Sequence, residues 1–444
     1  MSTDPLLRFD DGLPDELLAL DELDLLRALG RPTLVRWPGT GEARARAVAT
    51  LLHGDESTGL EAMLRVLRRR RVYPFDLYHV IGNVRAALEP PGFAHRYLDD
   101  QEDFNRIWGL GDPTTAQRLA ADAILAELRG ADLESLVDIH NNTGDNPFYA
   151  IVTLETPEVL NLATLFTTTL LRWDLELHTL MEATHDLCPS IAVECGLPGR
   201  PESRAFAIDA LRRYFGAEPL ATNQVVRDHD LLGGMYKVMV RPEVRFRFGG
   251  ELDDMVDLVL DADLDAHNFR EVPAGLVLGW VRPGAAVPLH AIDSEGTDVT
   301  DEHFEVVGQH LVVTAPGTPV MMTRTVEATR KDCLFYLATE RPAPIDAEQL
   351  DSGRLDSGSL DPGRFDSGRL DPGRLDPGHL DPGSLDPEHL DSGHLDPSAG
   401  DWSDAPSRAG RRLGALDGTG VLDADPADPG DNGLSARLQP RPLR

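Results

Sequence analysis

The segment Ala-Val-Ala-Thr-Leu-Leu-His-Gly-Asp-Glu, residues 47–56, joins a short apolar run to a polar turn, and this pattern recurs through the first half of the chain. From about residue 44 to 215, β-like runs alternate with amphipathic helical stretches, which indicates an α/β fold with a largely parallel sheet. The predicted strands are 46–52, 77–82, 136–139, 148–153 and 190–193, and the predicted helices are about 59–71, 114–129, 156–171 and 202–215.

Beyond this region the alternation of strands and helices gives way to a different sequence pattern. From about 225 to 340, Gly and Pro turns separate short β-prone runs, which predicts a second, all-β domain of barrel or sandwich type. These runs are 236–240, 276–281, 310–314, 320–326 and 333–338. We expect four segments: a lead-in at 1–43 with a helix near Asp21–Leu29, a catalytic α/β domain at 44–220, a β-rich domain at 221–345 and a tail at 346–444.

The tail begins as a tandem pentapeptide, Leu-Asp-Ser/Pro-Gly-Arg/His/Ser, with the apolar residue recurring every fifth position from 350 to 395. Pro or Gly stands in nearly every unit, and aromatic and β-branched residues are almost absent. Five-residue repeats can also build a β-solenoid, but this composition removes the donors and stiffness that such a coil needs. We predict a disordered acidic extension.

Composition limits the partners of the chain. It has 444 residues with 75 acidic and 42 basic side chains, a formal net charge of -33, and lysine only at Lys237 and Lys331. Such acidity argues against nucleic acid and anionic membrane surfaces as partners. Acidity with so little lysine suggests adaptation to concentrated salt; a high-GC genome would explain the arginine but not the carboxylates. An odd number of cysteines, three, and no signal peptide or membrane span predict a soluble cytoplasmic protein.

Four polar residues stand where predicted strands end. His53 and Glu56 follow the first run, His140 follows the run at 136–139, and Glu194 follows Ile-Ala-Val. Ligands bind beyond the carboxyl ends of parallel strands, so these side chains can converge. Two imidazoles and a carboxylate form the ligand set of an open catalytic zinc site, and a further carboxylate can carry the proton. Taken singly, His53 and Glu56 also suit a capped helix start, and a strand-end histidine also suits a packed polar residue.

Taken together, five motifs resemble the succinylglutamate desuccinylase/aspartoacylase family, whose fold is zinc carboxypeptidase-like: a mixed sheet flanked by helices, followed by a smaller all-β domain. The motifs are His53-Gly-Asp-Glu56, Gly82-Asn-Val-Arg85-Ala, Asp103-Phe-Asn105-Arg106, Asp138-Ile-His140-Asn-Asn-Thr143 and Val193-Glu194-Cys-Gly196. They occur in the family's order and near its spacing over residues 44–200. The pentapeptide tail lies outside the resemblance.

The resemblance implies a role for each matching residue. One Zn²⁺ per chain would be bound by His53, Glu56 and His140. Arg85 would polarise the scissile carbonyl, and Glu194 would move the proton from water to the leaving amine. Two further residues would bind the substrate's α-carboxylate: Asn105 and Arg106. The implied activity is zinc-dependent removal of an N-acyl group, of succinyl or acetyl type, from a small amino acid or related metabolite.

The sequence departs from the family pattern in one segment. Aspartoacylases proper carry a Tyr and an Arg shortly before the catalytic Glu, and residues 178–187 contain neither. Specificity for N-acetylaspartate is therefore not implied, and whether His178 or His185 contacts the substrate stays open. Two other functions stay open as well: a metallocarboxypeptidase acting on peptides and a non-catalytic metal-binding scaffold. The sequence is compatible with a homo-oligomer without indicating one, and His/His/Glu also suits other divalent metals.

Overall fold

The computed structural model describes residues 4–217 and 227–341. Its strands are β1 (Leu7–Phe9), β2 (Thr33–Trp37), β3 (Ala45–Thr50), β4 (Leu77–Ile81), β5 (Leu133–His140), β6 (Tyr149–Val152), β7 (Thr169–Arg172), β8 (Ser190–Glu194), β9 (Asp230–Val240), β10 (Phe246–Phe248), β11 (Leu258–Leu260), β12 (Val277–Val281), β13 (Leu289–Ile292), β14 (Phe304–Val307), β15 (His310–Val313), β16 (Thr318–Val320) and β17 (Phe335–Glu340). Its helices are α1 (Asp15–Leu18), α2 (Glu22–Leu29), α3 (Thr58–Leu67), α4 (Val84–Leu88), α5 (Ala116–Gly130), α6 (Pro157–Thr164), α7 (Leu180–Thr184), α8 (Pro201–Gly216), α9 (Thr300–His303), α10 (Val326–Lys331) and a 3-10 turn at Leu264–His267.

The main sheet is mixed and has the order β1-β2-β4-β3-β5-β8-β6-β7-β9-β17-β16, with β13 also paired to β9. Its centre is parallel, because β4, β3, β5 and β8 run in one direction. Strand β2 is antiparallel to β4, and β6 is antiparallel to β8. The predicted α/β class is confirmed: a mixed sheet with helices on its faces.

Strand β3 shows why the central strands are apolar throughout. Successive side chains of a strand point to opposite faces. Val48 packs in the cluster that includes α3 and α8, whereas Ala47 and Ala49 pack in the cluster that includes α5 and α7. Both faces are therefore covered, which removes the apolar–polar alternation of a half-exposed strand.

Local signals set the helix ends, and one of them corrects a prediction. The expected lead-in helix is present as α2: the Asp21 side chain accepts a hydrogen bond from Asp24 N, and Gly30 ends the helix at φ 68°. The helix expected over 156–171 ends already at Thr164 as α6, and β7 takes up 169–172. The β-branched run Thr167–Thr169 favours an extended chain there.

Residues 227–341 consist mainly of strands, loops and short helices. A five-stranded sheet has the order β10-β11-β12-β15-β14, and its apolar core is shared with β9, β13 and β17 of the main sheet. The run expected at 320–326 is not one strand, because β16 ends at Val320 and α10 begins at Val326. All three cysteines are buried and free, and none of the described helices is both long and apolar enough to cross a membrane. The predicted disordered tail lies outside the described residues.

Candidate metal centre and active site

The parallel centre of the sheet brings the predicted polar residues to one edge. His140 ends β5 and Glu194 ends β8, and these two residues are direct register partners. His53 and Glu56 lie in the turn between β3 and α3, and β3 is parallel to β5. The convergence that the sequence predicted is therefore present.

Three of these side chains form a buried cluster that could hold a metal ion. Ligand atoms of His53, Glu56 and His140 all lie within 4.8 Å of one another. The Glu56 carboxylate lies between the two imidazoles, with Oε1 2.8 Å from His53 Nδ1 and Oε2 2.7 Å from His140 Nδ1. Burial opposes ionisation of Glu56, but the two imidazoles beside it keep its pKa well below the usual value.

The outer nitrogen of each imidazole faces a second carboxylate. His140 Nε2 donates to Asp138 at 2.7 Å, and His53 Nε2 donates to Asp103 at 3.1 Å. A neutral imidazole that donates through Nε2 presents a lone pair at Nδ1. Burial opposes protonation of His53 and His140, but carboxylates on both sides raise the pKa of each imidazole, so each Nδ1 carries a proton toward Glu56. A divalent cation would displace these two protons and be bound by two imidazole lone pairs and the Glu56 carboxylate. The same carboxylate–histidine pairs are characteristic of metal-ligating histidines, so the residues fit a divalent metal.

Glu194 stands beside this cluster as a carboxylate with an unused oxygen. The residue is only 7% exposed, lines the cavity described below, and its Oε2 has no hydrogen-bond partner in the described chain. Burial, reinforced by the Glu56 carboxylate, raises the pKa of Glu194 to about 7. A carboxylate of this kind can accept and return a proton near neutral pH.

The arginine that lies at the cluster is Arg96, which the sequence analysis did not single out. Arg96 Nε donates to Asp103 at 2.9 Å, and its other nitrogens lie 3.6 Å from Asp332 and 3.9 Å from Glu56. Its side chain is 14% exposed and lines the cavity. One sequence signal was available: Arg96 lies seven positions before Asp103, in the same loop segment as the Asp103-Phe-Asn105-Arg106 motif.

Arg85, in contrast, is not brought to the cluster. Its side chain is 59% exposed, pairs with Asp100 at 2.7 Å, and is not among the residues lining the cavity. Helix α4 explains this position, because Val84, Ala86 and Ala87 are its buried residues and Arg85 projects to the surface. The structure therefore gives no support to the implied role of Arg85 at the scissile carbonyl.

The two residues expected to bind a carboxylate lie at the site, but both have partners within the protein. Asn105 Oδ1 accepts from Leu180 N at 2.9 Å, which fixes the start of α7. Arg106 donates through Nη1 to its neighbour's carbonyl, Asn105 O, at 2.9 Å and through Nη2 to Asp332 at 3.1 Å. Asp332 follows α10 in the β-rich region, and Lys237 on β9 also donates to it, at 3.1 Å.

A cavity of about 320 Å³ has the three side chains His53, Glu56 and His140 in its lining. Its lining includes polar groups, among them Arg96, Arg106, Asp332 and Lys331. It also includes apolar side chains: Ile151, Trp173, Leu177, Met181, Leu197 and Met321. The lining residues include neither His178 nor His185. The size of the cavity suits a small organic molecule.

No family model matches the chain, and no curated protein matches it. Among solved structures, it is similar to murine aminoacylase 3, at 17% identity over 67% of this chain and 95% of that one, with a TM-score of 0.43. It is similar to the succinylglutamate desuccinylase of Chromobacterium violaceum, at 17% identity over 64% and 88% of the two chains, with a TM-score of 0.42. It is also similar to a putative succinylglutamate desuccinylase/aspartoacylase from Shewanella frigidimarina NCIMB 400, at 11% identity over 70% of this chain and 93% of that one, with a TM-score of 0.45.

Proposed function

We propose that this chain is a zinc-dependent amidohydrolase that removes an N-acyl group from a small amino acid or related amine. The main support is that the buried His53–Glu56–His140 cluster and Glu194 line the same small cavity. Glu194 Oε2 has no hydrogen-bond partner in the described chain. The motif resemblance supports the same activity.

The roles follow from position. His53, Glu56 and His140 would hold the metal, with Asp103 and Asp138 orienting the two imidazoles. When bound, zinc supplies Lewis acidity, which polarises a carbonyl and makes water a stronger nucleophile at neutral pH.

Two side chains of the cavity wall then act on the substrate. Glu194 accepts the proton of the attacking water and returns it to the leaving amine nitrogen, and its Oε2, which has no partner in the described chain, is available at the cavity wall for both transfers. Arg96 donates to the carbonyl oxygen as negative charge develops on it. Fixed cationic donors at such an oxygen are commonly the largest single contribution to catalysis.

Glu194→Gln tests the proposal against its alternatives. We expect the variant to retain one zinc per chain by elemental analysis and to lose at least about a hundredfold in kcat on N-acyl amino acids, as loss of general acid–base catalysis predicts. Glu127→Gln, which changes an exposed carboxyl on α5, is the matched control and should retain full activity. Wild-type protein that binds zinc but releases C-terminal residues from peptides would favour the peptidase. Zinc without turnover on either class would favour the scaffold, and folded protein without bound metal would refute the proposal.

A further inference from the structure

Asp332 is hydrogen-bonded to Arg106, the arginine that the resemblance implies would bind the substrate's α-carboxylate. Its Oδ2 accepts from Arg106 Nη2 at 3.1 Å and lies 3.6 Å from Arg96 Nη2. Its Oδ1 accepts from Lys237 Nζ at 3.1 Å. Asp332 and Arg106 are 226 positions apart in sequence, so this contact comes from the tertiary fold and not from a local motif.

The position of this carboxylate is fixed. Asp332 caps α10, where its backbone N–H donates to Ala328 O, and its side chain is 20% exposed. Burial opposes its ionisation, but Arg106, Lys237 and Arg96 together hold its pKa well below the usual value. A negative charge therefore stands in the lining of the cavity, held by two arginines of the loop between α4 and α5 and by Lys237 of β9.

This arrangement changes what Arg106 can bind. Its Nη1 already donates to Asn105 O and its Nη2 to Asp332, so a bidentate clamp on an incoming carboxylate would share Nη2 with Asp332. The incoming carboxylate would also stand next to a like charge, which costs affinity. A neutral group such as a carboxamide meets no such repulsion and can still accept a hydrogen bond.

We propose that Asp332 is a specificity-determining residue that disfavours substrates with a free α-carboxylate and favours N-acyl compounds that are neutral at that end. This inference rests on the proposed function and names its substrate class more closely. It replaces the role of Arg106 as receptor for a substrate carboxylate with a role in holding Asp332.

The test uses two probes that differ in one charge, N-acetyl-L-leucine and N-acetyl-L-leucinamide. Their binding is measured by calorimetry on the zinc-loaded Glu194→Gln protein, with and without Asp332→Asn. Their kcat/KM values are measured in the wild-type background. We expect the preference for the carboxylate probe over the carboxamide to rise at least about tenfold in Asp332→Asn, because the like charge is gone. Glu155→Gln is the matched control: it removes a half-buried carboxylate that pairs with Arg172 and does not line the cavity, and it should leave the ratio unchanged.

Asp332→Ser provides a second variant in case the amide disturbs folding, and melting temperatures identify folded samples. The inference is overturned if folded Asp332→Asn and Asp332→Ser gain no carboxylate binding, or if Glu155→Gln produces the same gain. Wild-type protein that hydrolyses neither probe nor any other N-acyl compound would refute the proposed function, while the binding ratio would still decide the role of Asp332.

Discussion

Arg96 and Arg85 give the sharpest test of the site. The sequence motifs indicate Arg85 as the catalytic arginine, whereas the structure places Arg96 beside the His53–Glu56–His140 cluster. The matched changes are Arg96→Lys and Arg85→Lys, each of which keeps the charge and removes the planar five-donor fork. Arg96 is 14% exposed and faces three carboxylates between 2.9 and 3.9 Å. Arg85 is 59% exposed and pairs with Asp100, itself 63% exposed.

The expected magnitudes differ widely. Removing one donor to a developing oxyanion costs roughly 10²–10³ in kcat, or about 2.7–4 kcal/mol. A lysine at position 96 keeps part of this stabilisation, so we expect at least about a tenfold fall in kcat for Arg96→Lys, with Arg96→Ala nearer the full range. The Arg85–Asp100 pair is an exposed ion pair worth about 0–1 kcal/mol of stability, so Arg85→Lys should change kcat by less than about twofold.

The assay is steady-state hydrolysis of N-acyl amino acids and their carboxamides, with zinc content and melting temperature measured on the same samples. Retained zinc is essential, because Arg96 also pairs with Asp103, which orients His53. The reasoning is refuted if Arg85→Lys lowers kcat as much as Arg96→Lys does. It is equally refuted if Arg96→Lys binds zinc and turns over at the wild-type rate.

Two further changes probe the surroundings of the site. Asp138→Asn should weaken zinc affinity roughly 10–100-fold, since the carboxylate that orients His140 is lost; competition with a calibrated chelator measures this, and unchanged affinity would contradict the orienting role. His79 is fully buried beside Thr50, and burial lowers its pKa to about 3. Below about pH 6.5 the unfolded chain binds a proton that the folded chain does not. The free energy of unfolding should therefore fall by up to about 1.4 kcal/mol per pH unit between about pH 6 and 4 through this group. Urea unfolding of His79→Gln should show a flatter dependence, and an unaltered slope would exclude His79 as the cause.

The convergence at the strand ends was predictable because it depends on a regular property of parallel sheets. Once β3, β5 and β8 are recognised as neighbouring parallel strands, their carboxyl ends share an edge, and His53, His140 and Glu194 follow. The apolar runs also predicted these strands correctly, since strands covered on both faces need no polar alternation.

Side-chain direction in short or irregular segments was not predictable in the same way. Helix α4 has only five residues, and which of them faces the core depends on the turn that precedes it, which the Asn83 side chain caps. A motif match could therefore place Arg85 near the site in sequence without placing its guanidinium there. Arg96 lies in a loop without regular periodicity, and its contacts with Asp103, Asp332 and Glu56 give it a direction.

The β-rich region supplies part of the site. Dividing the sequence into a catalytic domain and a separate β-rich domain hides this contribution. Shortly after β5, which ends at His140, Gly144 passes so close to Met322 that a Cβ at this position would collide with the Met322 carbonyl oxygen. Asn268 bonds both the Asp145 carbonyl and the Met322 backbone, so the segment after His140 is held by the β-rich region. Asp332 enters the cavity from that same region. The proposed metal ligands and the carboxylate proposed to select substrates therefore come from different parts of the chain, and the β-rich region supports both: it holds the segment after His140 and places Asp332 beside Arg96 and Arg106.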